Sequence, residues 1–366
     1  MGLKAGIVGL PNVGKSTLFN AITNAQVEAA NYPFATIQPN TGVVKVEDER
    51  LRFLSQLFQP KKTIYATVDF VDIAGLVRGA SKGEGLGNQF LAAIREADAI
   101  VEVVRCFENA DIIHVESTVD PVRDIDIIDL ELILADMDTV QRRLDKVSSK
   151  AKGGDRLAIQ ELTLLEAIKT WLLSEKPVRQ MPLSPEQKQL VVDIQLLTLK
   201  PLLFVANIHE DGYGSLANNP HYQGVVERAK QDHADVIAIS CEIESQIAQL
   251  KGEEKDEFLS SLGIPEPGLN KLVRSTYHLL SLSTYFTVGA DECRAWTFTQ
   301  GMSAPQCAGI IHSDFEKGFI KAEIYHVDDI KKHGSELALK EAGRLRMEGK
   351  EYVVKDGDII FFRFNV

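Results

Sequence analysis

Apolar residues crowd positions 3–8 and stop at Gly9, where a glycine-containing turn precedes a stretch of helical apolar spacing from Lys15 to Thr23. A continuous apolar run followed by a helical period predicts strand, loop, helix. Similar runs at 64–71, 99–104, 201–206 and 236–239 alternate with helical stretches, as a largely parallel sheet covered on both faces requires. The expected fold class is therefore α/β. Between the runs at 99–104 and 201–206, Leu130, Ile133, Leu134, Met137, Val140, Leu144 and Val147 recur every three or four residues and form one helical stripe. Lys152-Gly153-Gly154-Asp155 breaks it, and Leu157, Leu164, Leu165, Ile168 and Leu172 begin another. A helical hairpin is thus expected at 131–198, inserted into an α/β domain made of 1–130 and 199–278. After a last helix running to about Leu280, apolar runs at 284–288, 296–299, 319–325 and 352–364 predict a small β-rich domain at 279–366. Asp356-Gly357-Asp358 between Val353-Val354 and Ile359-Ile360 predicts a hairpin turn within it.

The 366 residues suffice for two or three domains with a sizeable core. Hydrophobic residues at 45% and charged ones at 25% exclude wholesale disorder and fibrous repeats. A net charge of −12 argues against a protein that coats nucleic acid non-specifically, while leaving room for a local basic patch. The four cysteines, Cys106, Cys241, Cys293 and Cys307, lack metal-like pairing and read as reduced structural thiols. No run of 18 apolar residues exists and the chain enters a strand at once, so a cytoplasmic protein without membrane spans is expected.

The strongest chemical signal is Gly9-Leu10-Pro11-Asn12-Val13-Gly14-Lys15-Ser16, which has the spacing of a phosphate-binding loop between strand and helix. Backbone N–H groups from Asn12 to Thr17, by way of Val13, Gly14, Lys15 and Ser16, are expected to wrap a phosphate chain at the positive end of the following helix. Lys15 would reach the β and γ phosphates, a catalytic as well as a binding role, and Ser16 would ligate magnesium. Asp72-Ile73-Ala74-Gly75, ending the 64–71 run, would add a carboxylate beside the metal and a glycine N–H near the γ phosphate. Thr36 is expected to put a hydroxyl on the magnesium, with Thr41 as the alternative.

These motifs, with Asn31-Tyr-Pro-Phe-Ala-Thr36-Ile and the run from Asp72 through Gly79-Ala-Ser-Lys-Gly-Glu-Gly-Leu-Gly-Asn88, resemble the Obg-related P-loop GTPases, and among them the YchF subfamily. The likeness extends through His114-Val115 and Asp120 to Ile125. It continues into Thr284-Tyr-Phe-Thr-Val-Gly289 and Asp314-Phe-Glu-Lys-Gly-Phe-Ile-Lys321, which are similar to a TGS domain. The resemblance implies a GTPase-type nucleotide domain, a coiled-coil insertion, a C-terminal β-grasp domain and an ATPase associated with the ribosome, on its large subunit.

Where a guanine-reading loop has Asn-Lys-x-Asp, this chain has Asn207-Ile208-His209-Glu210. The extra methylene of Glu210 moves the carboxylate along the base plane and weakens guanine selection. A carboxylate set for guanine would face the lone pair of adenine N1, at a cost of about 1–3 kcal/mol, unless the site has changed in other ways. The resemblance implies that ATP is accepted at least as well as GTP. Ser240 and Cys241 are expected to offer backbone N–H groups to the base.

The position that would carry a water-orienting glutamine is Leu76, so intrinsic turnover should be slow. His114 is a candidate replacement supplied in cis, with Arg78 or a partner's group as competitors. Asn12 could hold a potassium ion against the phosphates, or could simply shape its loop. The hairpin and C-terminal domain lack a catalytic set and are expected to bind. Their partner would be the ribosome or RNA, through Arg294, Lys317, Lys321, Lys331, Lys332, Arg344, Arg346 and Lys350. Three function classes stay open: an ATPase switch on the ribosome, a GTP-specific assembly factor, and an adaptor whose nucleotide is structural. The chain is expected to be a monomer.

Overall fold

The computed structural model describes residues 3–24, 40–73 and 86–365. Along the chain run β1 (Lys4–Val8), α1 (Lys15–Asn24), β2 (Thr41–Lys45), α2 (Glu49–Phe58), β3 (Lys62–Ile64), β4 (Thr67–Asp72), α3 (Leu86–Glu96) and β5 (Ala99–Arg105). There follow α4 (Pro121–Lys152), α5 (Arg156–Leu173), α6 (Pro185–Val191), β6 (Leu202–Asn207), α7 (Pro220–Asp232), β7 (Asp235–Ile239), α8 (Cys241–Ile247), α9 (Glu253–Ser261) and α10 (Gly268–Leu279). The last part contains β8 (Leu282–Thr287), β9 (Glu292–Thr299), α11 (Ala304–Ile311), α12 (Ser313–Lys317), β10 (Phe319–His326), α13 (Val327–His333), α14 (Glu336–Glu341), β11 (Arg346–Glu348) and β12 (Asp358–Phe364).

The chain forms two compact units, one of residues 1–44 and 69–272, the other of 45–68 and 273–366. Its division thus differs from the boundaries drawn on the sequence, which kept 45–68 in the first domain. That segment joins the second unit because β3 pairs in parallel with β9, more than two hundred residues further on. The expected single strand at 64–71 is accordingly two strands, β3 and β4.

The first unit is built on a sheet of order β2-β4-β1-β5-β6-β7. Its β1, β4, β5, β6 and β7 are mutually parallel. Every residue of β5 and β6 is buried, as expected of central strands covered on both faces. Register places Ile7 beside Asp72, and Arg105 beside Asn207, which is itself beside Ile239. The carboxyl ends of the strands therefore meet along one edge, where ligands of such sheets bind.

The helical hairpin starts ten residues before its expected boundary. Asp120 caps α4 by accepting from the Arg123 N–H, and Pro121 opens the first turn. Ile125, Ile128 and Leu132 then bury the foot of α4, while Ile133, Val140, Leu144, Val147 and Ala151 pack on Leu164, Leu165, Ile168 and Leu172 of α5. Leu130 and Leu157, counted into the two stripes, are exposed. The buried face of α4 is rotated at its foot, and Leu157 lies in the first turn of α5. A buried ionic cluster anchors the foot: Arg179 and Arg228 both pair with Asp129, and Arg228 also pairs with Asp232 and, at the surface, with Asp126. Glu102 on β5 adjoins this cluster, and burial, reinforced by Asp129, pushes its carboxyl well above the ordinary range.

In the second unit the sheet order is β11-β10-β12-β8-β9-β3. A β8–β9 hairpin, the helix α11, and a final strand β12 parallel to β8 and antiparallel to β10 form a β-grasp arrangement. Tyr285, Phe298, Phe319 and Phe362 build its core beside Cys307 and Ala308 of α11. The expected hairpin at 352–364 does not form. Gly357 occupies the left-handed region at φ 88°, but Val353 makes only an isolated bridge to Ser303, and β12 takes its partners from β10 and β8.

Candidate functional site

A cavity of about 810 Å³ opens at the carboxyl edge of the first sheet. The loop between β1 and α1 lines it through Asn12, Gly14, Lys15, Ser16 and Thr17, and Asn207, His209, Glu210, Ser240, Cys241 and Glu242 line it from other strand ends. Val13 is buried behind the loop.

Two glycines allow the loop its path. A Cβ at Gly9 would come within 2.8 Å of the Val103 carbonyl oxygen. At Gly14, with φ at 101°, it would come within 2.2 Å of Asn207 Nδ2. Both close approaches require glycine. Asn12 takes the left-handed region at φ 65°, which asparagine tolerates, and its Nδ2 donates to the Ile113 carbonyl at 3.0 Å.

Lys15 pairs directly with Asp72. The β1–β4 register brings that carboxylate to the head of α1, so the cation expected at the phosphates and the acid expected at the metal adjoin each other. Thr36 and Gly75, the other expected metal and phosphate residues, lie outside the described residues, as do Leu76 and Arg78. Among the described residues no group of three or more His, Cys, Asp or Glu side chains could hold a metal by itself.

The residues expected to read the base divide into two sets. Asn207 is buried, with Nδ2 donating to the Val13 carbonyl at 2.9 Å and Oδ1 accepting from the Cys241 N–H at 3.0 Å. Its amide braces the phosphate loop against α8. The Ser240 and Cys241 N–H groups, expected to meet the base, each have a partner within the protein. The Ser240 N–H donates to the Tyr213 hydroxyl at 2.9 Å, and the Cys241 N–H is held by Asn207. Burial of a strand-to-helix turn demands such partners. Glu210 is exposed at the cavity wall, and His209 caps the short helix after it by accepting from the Asp211 N–H.

Phe107, Asn109 and Ile112 also line the cavity, and the sequence motifs passed over them. Arg105, 1% exposed at the end of β5, holds this loop. Its guanidinium donates to the carbonyls of Phe107, Asn109 and Ile112 at 3.0–3.1 Å and lies 4.8 Å from the Phe107 ring centre. The Phe107 ring meets His209 edge-on, with centroids 6.2 Å apart. The available signal was an arginine ending a strand that is apolar but for Glu102, since a buried cation there needs acceptors.

His114 lies outside the cavity wall. It is buried, with Nε2 bonded to Asp124 Oδ2 at 2.8 Å and Nδ1 accepting from the Glu116 N–H at 3.1 Å. Both ring nitrogens are engaged, and the ring faces a neighbouring cavity of about 510 Å³ with Arg105 and Ser117. Burial raises the Asp124 carboxyl, against the opposing hydrogen bond from Arg123.

A parallel sheet with a phosphate loop after its first strand, an acid at the end of the adjacent strand and an Asn-x-x-Glu turn at the cavity wall defines a P-loop nucleoside triphosphatase of the GTPase type. Comparisons with known proteins agree. A family profile described as a 50S ribosome-binding GTPase matches residues 4–141, and YchF-GTPase_C, described as a protein of unknown function (DUF933), matches 282–365. The ribosome-binding ATPase YchF of Bacillus subtilis is 55% identical, and that of Escherichia coli O157:H7 53% identical, each over the full length of both chains. The solved YchF GTPase of Schizosaccharomyces pombe superposes with a TM-score of 0.89 at 38% identity, covering 99% of this chain and 98% of that one. The chain belongs to the YchF family.

Proposed function

We propose that this chain is a magnesium-dependent nucleoside triphosphatase that accepts ATP at least as well as GTP. It acts in the cytoplasm as a ribosome-associated nucleotide switch. The observation that carries the reading is the cavity lined by the phosphate loop and Glu210, with Lys15 of that loop paired with Asp72. Water attacks the γ phosphorus and the bond to the β–γ bridging oxygen breaks, giving the nucleoside diphosphate and phosphate.

Magnesium fits the donors present, because Ser16 stands in the first turn of α1, next in sequence to the Lys15 that pairs with the Asp72 carboxylate, and hydroxyl and carboxylate oxygens suit a hard cation. Ser16 and Asp72, with Thr36, would hold it, and when bound it would neutralise charge on the β and γ phosphates. The Asn12 amide oxygen is the atom a potassium ion would take. Lys15 positions and neutralises the γ phosphate. His114 can orient water only after the 107–119 loop releases it from Asp124, a change that nucleotide would have to drive.

The names of the Bacillus and Escherichia relatives and the description of the 50S ribosome-binding profile support the ribosome as partner. Contact with the large subunit, partly through RNA, fits that description, and a monomer is proposed. The test is phosphate release from ATP and GTP with magnesium or EDTA, for wild type and Lys15→Ala, alongside co-sedimentation with ribosomes. Turnover that needs magnesium and Lys15, and ribosome binding that changes with the nucleotide, are expected. Turnover persisting in Lys15→Ala would overturn the assignment.

A further inference from the structure

A carboxylate at Glu210 satisfies half of adenine's pairing edge. Displaced along the base plane toward C6, it accepts from the N6 amine, but N1 beside that amine carries a lone pair and needs a donor. The strand-to-helix turn of the cavity wall has no backbone donor to give: the Ser240 N–H is held by Tyr213 and the Cys241 N–H by Asn207. The Asn207 amide is itself engaged with the Val13 carbonyl. Two side chains of the wall, His209 and Asn109, keep an N–H without a partner among the described residues.

His209 adjoins Glu210, as N1 adjoins N6, and its turn is held in place. The Ile208 N–H donates to the Ile239 carbonyl at 3.0 Å, and the Gly212 N–H to the His209 carbonyl at 2.9 Å. Nδ1 of the ring accepts from the Asp211 N–H at 3.4 Å and so caps the short helix Glu210–Asn218. The ring also meets Phe107 edge-on, with planes 62° apart, and Phe107 is held in turn by Arg105. With Nδ1 accepting, the neutral ring carries its proton on Nε2; doubly protonated beside the Asp211 carboxylate, 3.5 Å from Nδ1, it carries one there too. Nε2 is a donor in either form, on a side chain half exposed at the cavity wall.

We propose that His209 donates from Nε2–H to N1 of adenine while the Glu210 carboxylate accepts from the N6 amine, so that adjacent side chains of one turn read the base. The assignment rests on the acceptance of ATP proposed above. A guanine in the same pose sets its N1–H against the histidine N–H and its O6 against the carboxylate, and must sit differently to bind. Asn109 is the competing donor, but it stands on a loop separate from Glu210, where its Oδ1 holds the Asp111 N–H at 2.8 Å.

The test is calorimetric titration of the full-length, nucleotide-free chain in magnesium with ATP, with 1-deaza-ATP, in which C–H replaces N1, with 7-deaza-ATP and with GTP. Wild type, His209→Phe, His209→Gln and Asn109→Ala are compared. Phenylalanine keeps a ring against Phe107 and loses the donor, and glutamine returns an N–H with a reach similar to that of Nε2. Wild type should bind 1-deaza-ATP about three- to tenfold more weakly than ATP, His209→Phe should bind the two within about twofold, and His209→Gln should recover the difference. Both nucleotides are compared on the same variant, so damage to the turn cancels. Equal binding of ATP and 1-deaza-ATP by wild type overturns the proposal, as does a penalty that survives in His209→Phe. A penalty lost in Asn109→Ala instead, or one seen with 7-deaza-ATP alone, overturns it by moving the donor or the atom that is read. GTP binding about tenfold tighter than ATP binding refutes the nucleotide preference proposed above, while a 1-deaza-ATP penalty that vanishes in His209→Phe still upholds His209 as the donor.

Discussion

Replacing Asn207 with alanine separates bracing from base reading. The change removes the donor to the Val13 carbonyl and the acceptor for the Cys241 N–H, both in buried residues. An orphaned buried polar group costs about 1–3 kcal/mol, and water can enter from the adjoining cavity, so a loss of about 2–4 kcal/mol is expected. For a chain of this size that lowers the melting temperature by about 3–5 °C. The phosphate loop loosens for every nucleotide alike, so ATP and GTP affinities should fall together with their ratio held within about twofold, or about 0.4 kcal/mol. Thermal unfolding and calorimetric titration with both nucleotides read the two effects. A melting temperature unchanged to about 1 °C together with selective loss of one nucleotide would refute the bracing role.

Two further changes test neighbouring features. Arg105→Met frees three carbonyls of the loop bearing Phe107, Asn109 and Ile112; amide hydrogen exchange across 107–113 should accelerate by about tenfold or more, equivalent to about 1.4 kcal/mol, and unchanged exchange would contradict it. For Glu102, whose folded carboxyl titrates well above its ordinary value of 4.5, the stability it contributes is fully present below that value and is lost as pH rises toward the folded one. Glu102→Gln cannot ionise, so in urea unfolding from pH 5 to pH 8 the variant should gain on wild type by up to about 1.4 kcal/mol per pH unit. Parallel curves would show that the buried carboxyl is not held protonated.

Much of the architecture was legible because it is written locally. The run ending at Gly9 is β1, the helix from Lys15 is α1, and the break at Lys152 to Asp155 is the turn between α4 and α5. A phosphate loop is recognisable because glycine spacing reports a backbone path directly, and Gly14 at φ 101° shows why. Non-local features were not legible. Nothing near Lys62 announces that β3 will pair with β9, and nothing near Gly357 announces that β12 will pass over its sequence neighbour for β10 and β8. In the site, Glu210 falls at the cavity wall, while Asn207, Ser240 and Cys241 spend their polar groups on one another and on Tyr213 and Val13. A motif names which residues gather there. It does not tell which of their hydrogen bonds the fold has already used. Phe107 escaped notice for a related reason: its position depends on Arg105, whose acceptors are carbonyls that carry no side-chain signature.

The central claim is that the Asn207 to Glu210 turn no longer enforces guanine, and paired calorimetric titration of nucleotide-free protein with ATP and GTP, in magnesium and potassium, tests it most directly. ATP binding at least as tight as GTP binding is expected, with Glu210→Asp shifting the balance toward GTP. Tenfold tighter binding of GTP to the wild-type chain, a difference of about 1.4 kcal/mol, would contradict the account and make the protein a guanine-specific GTPase.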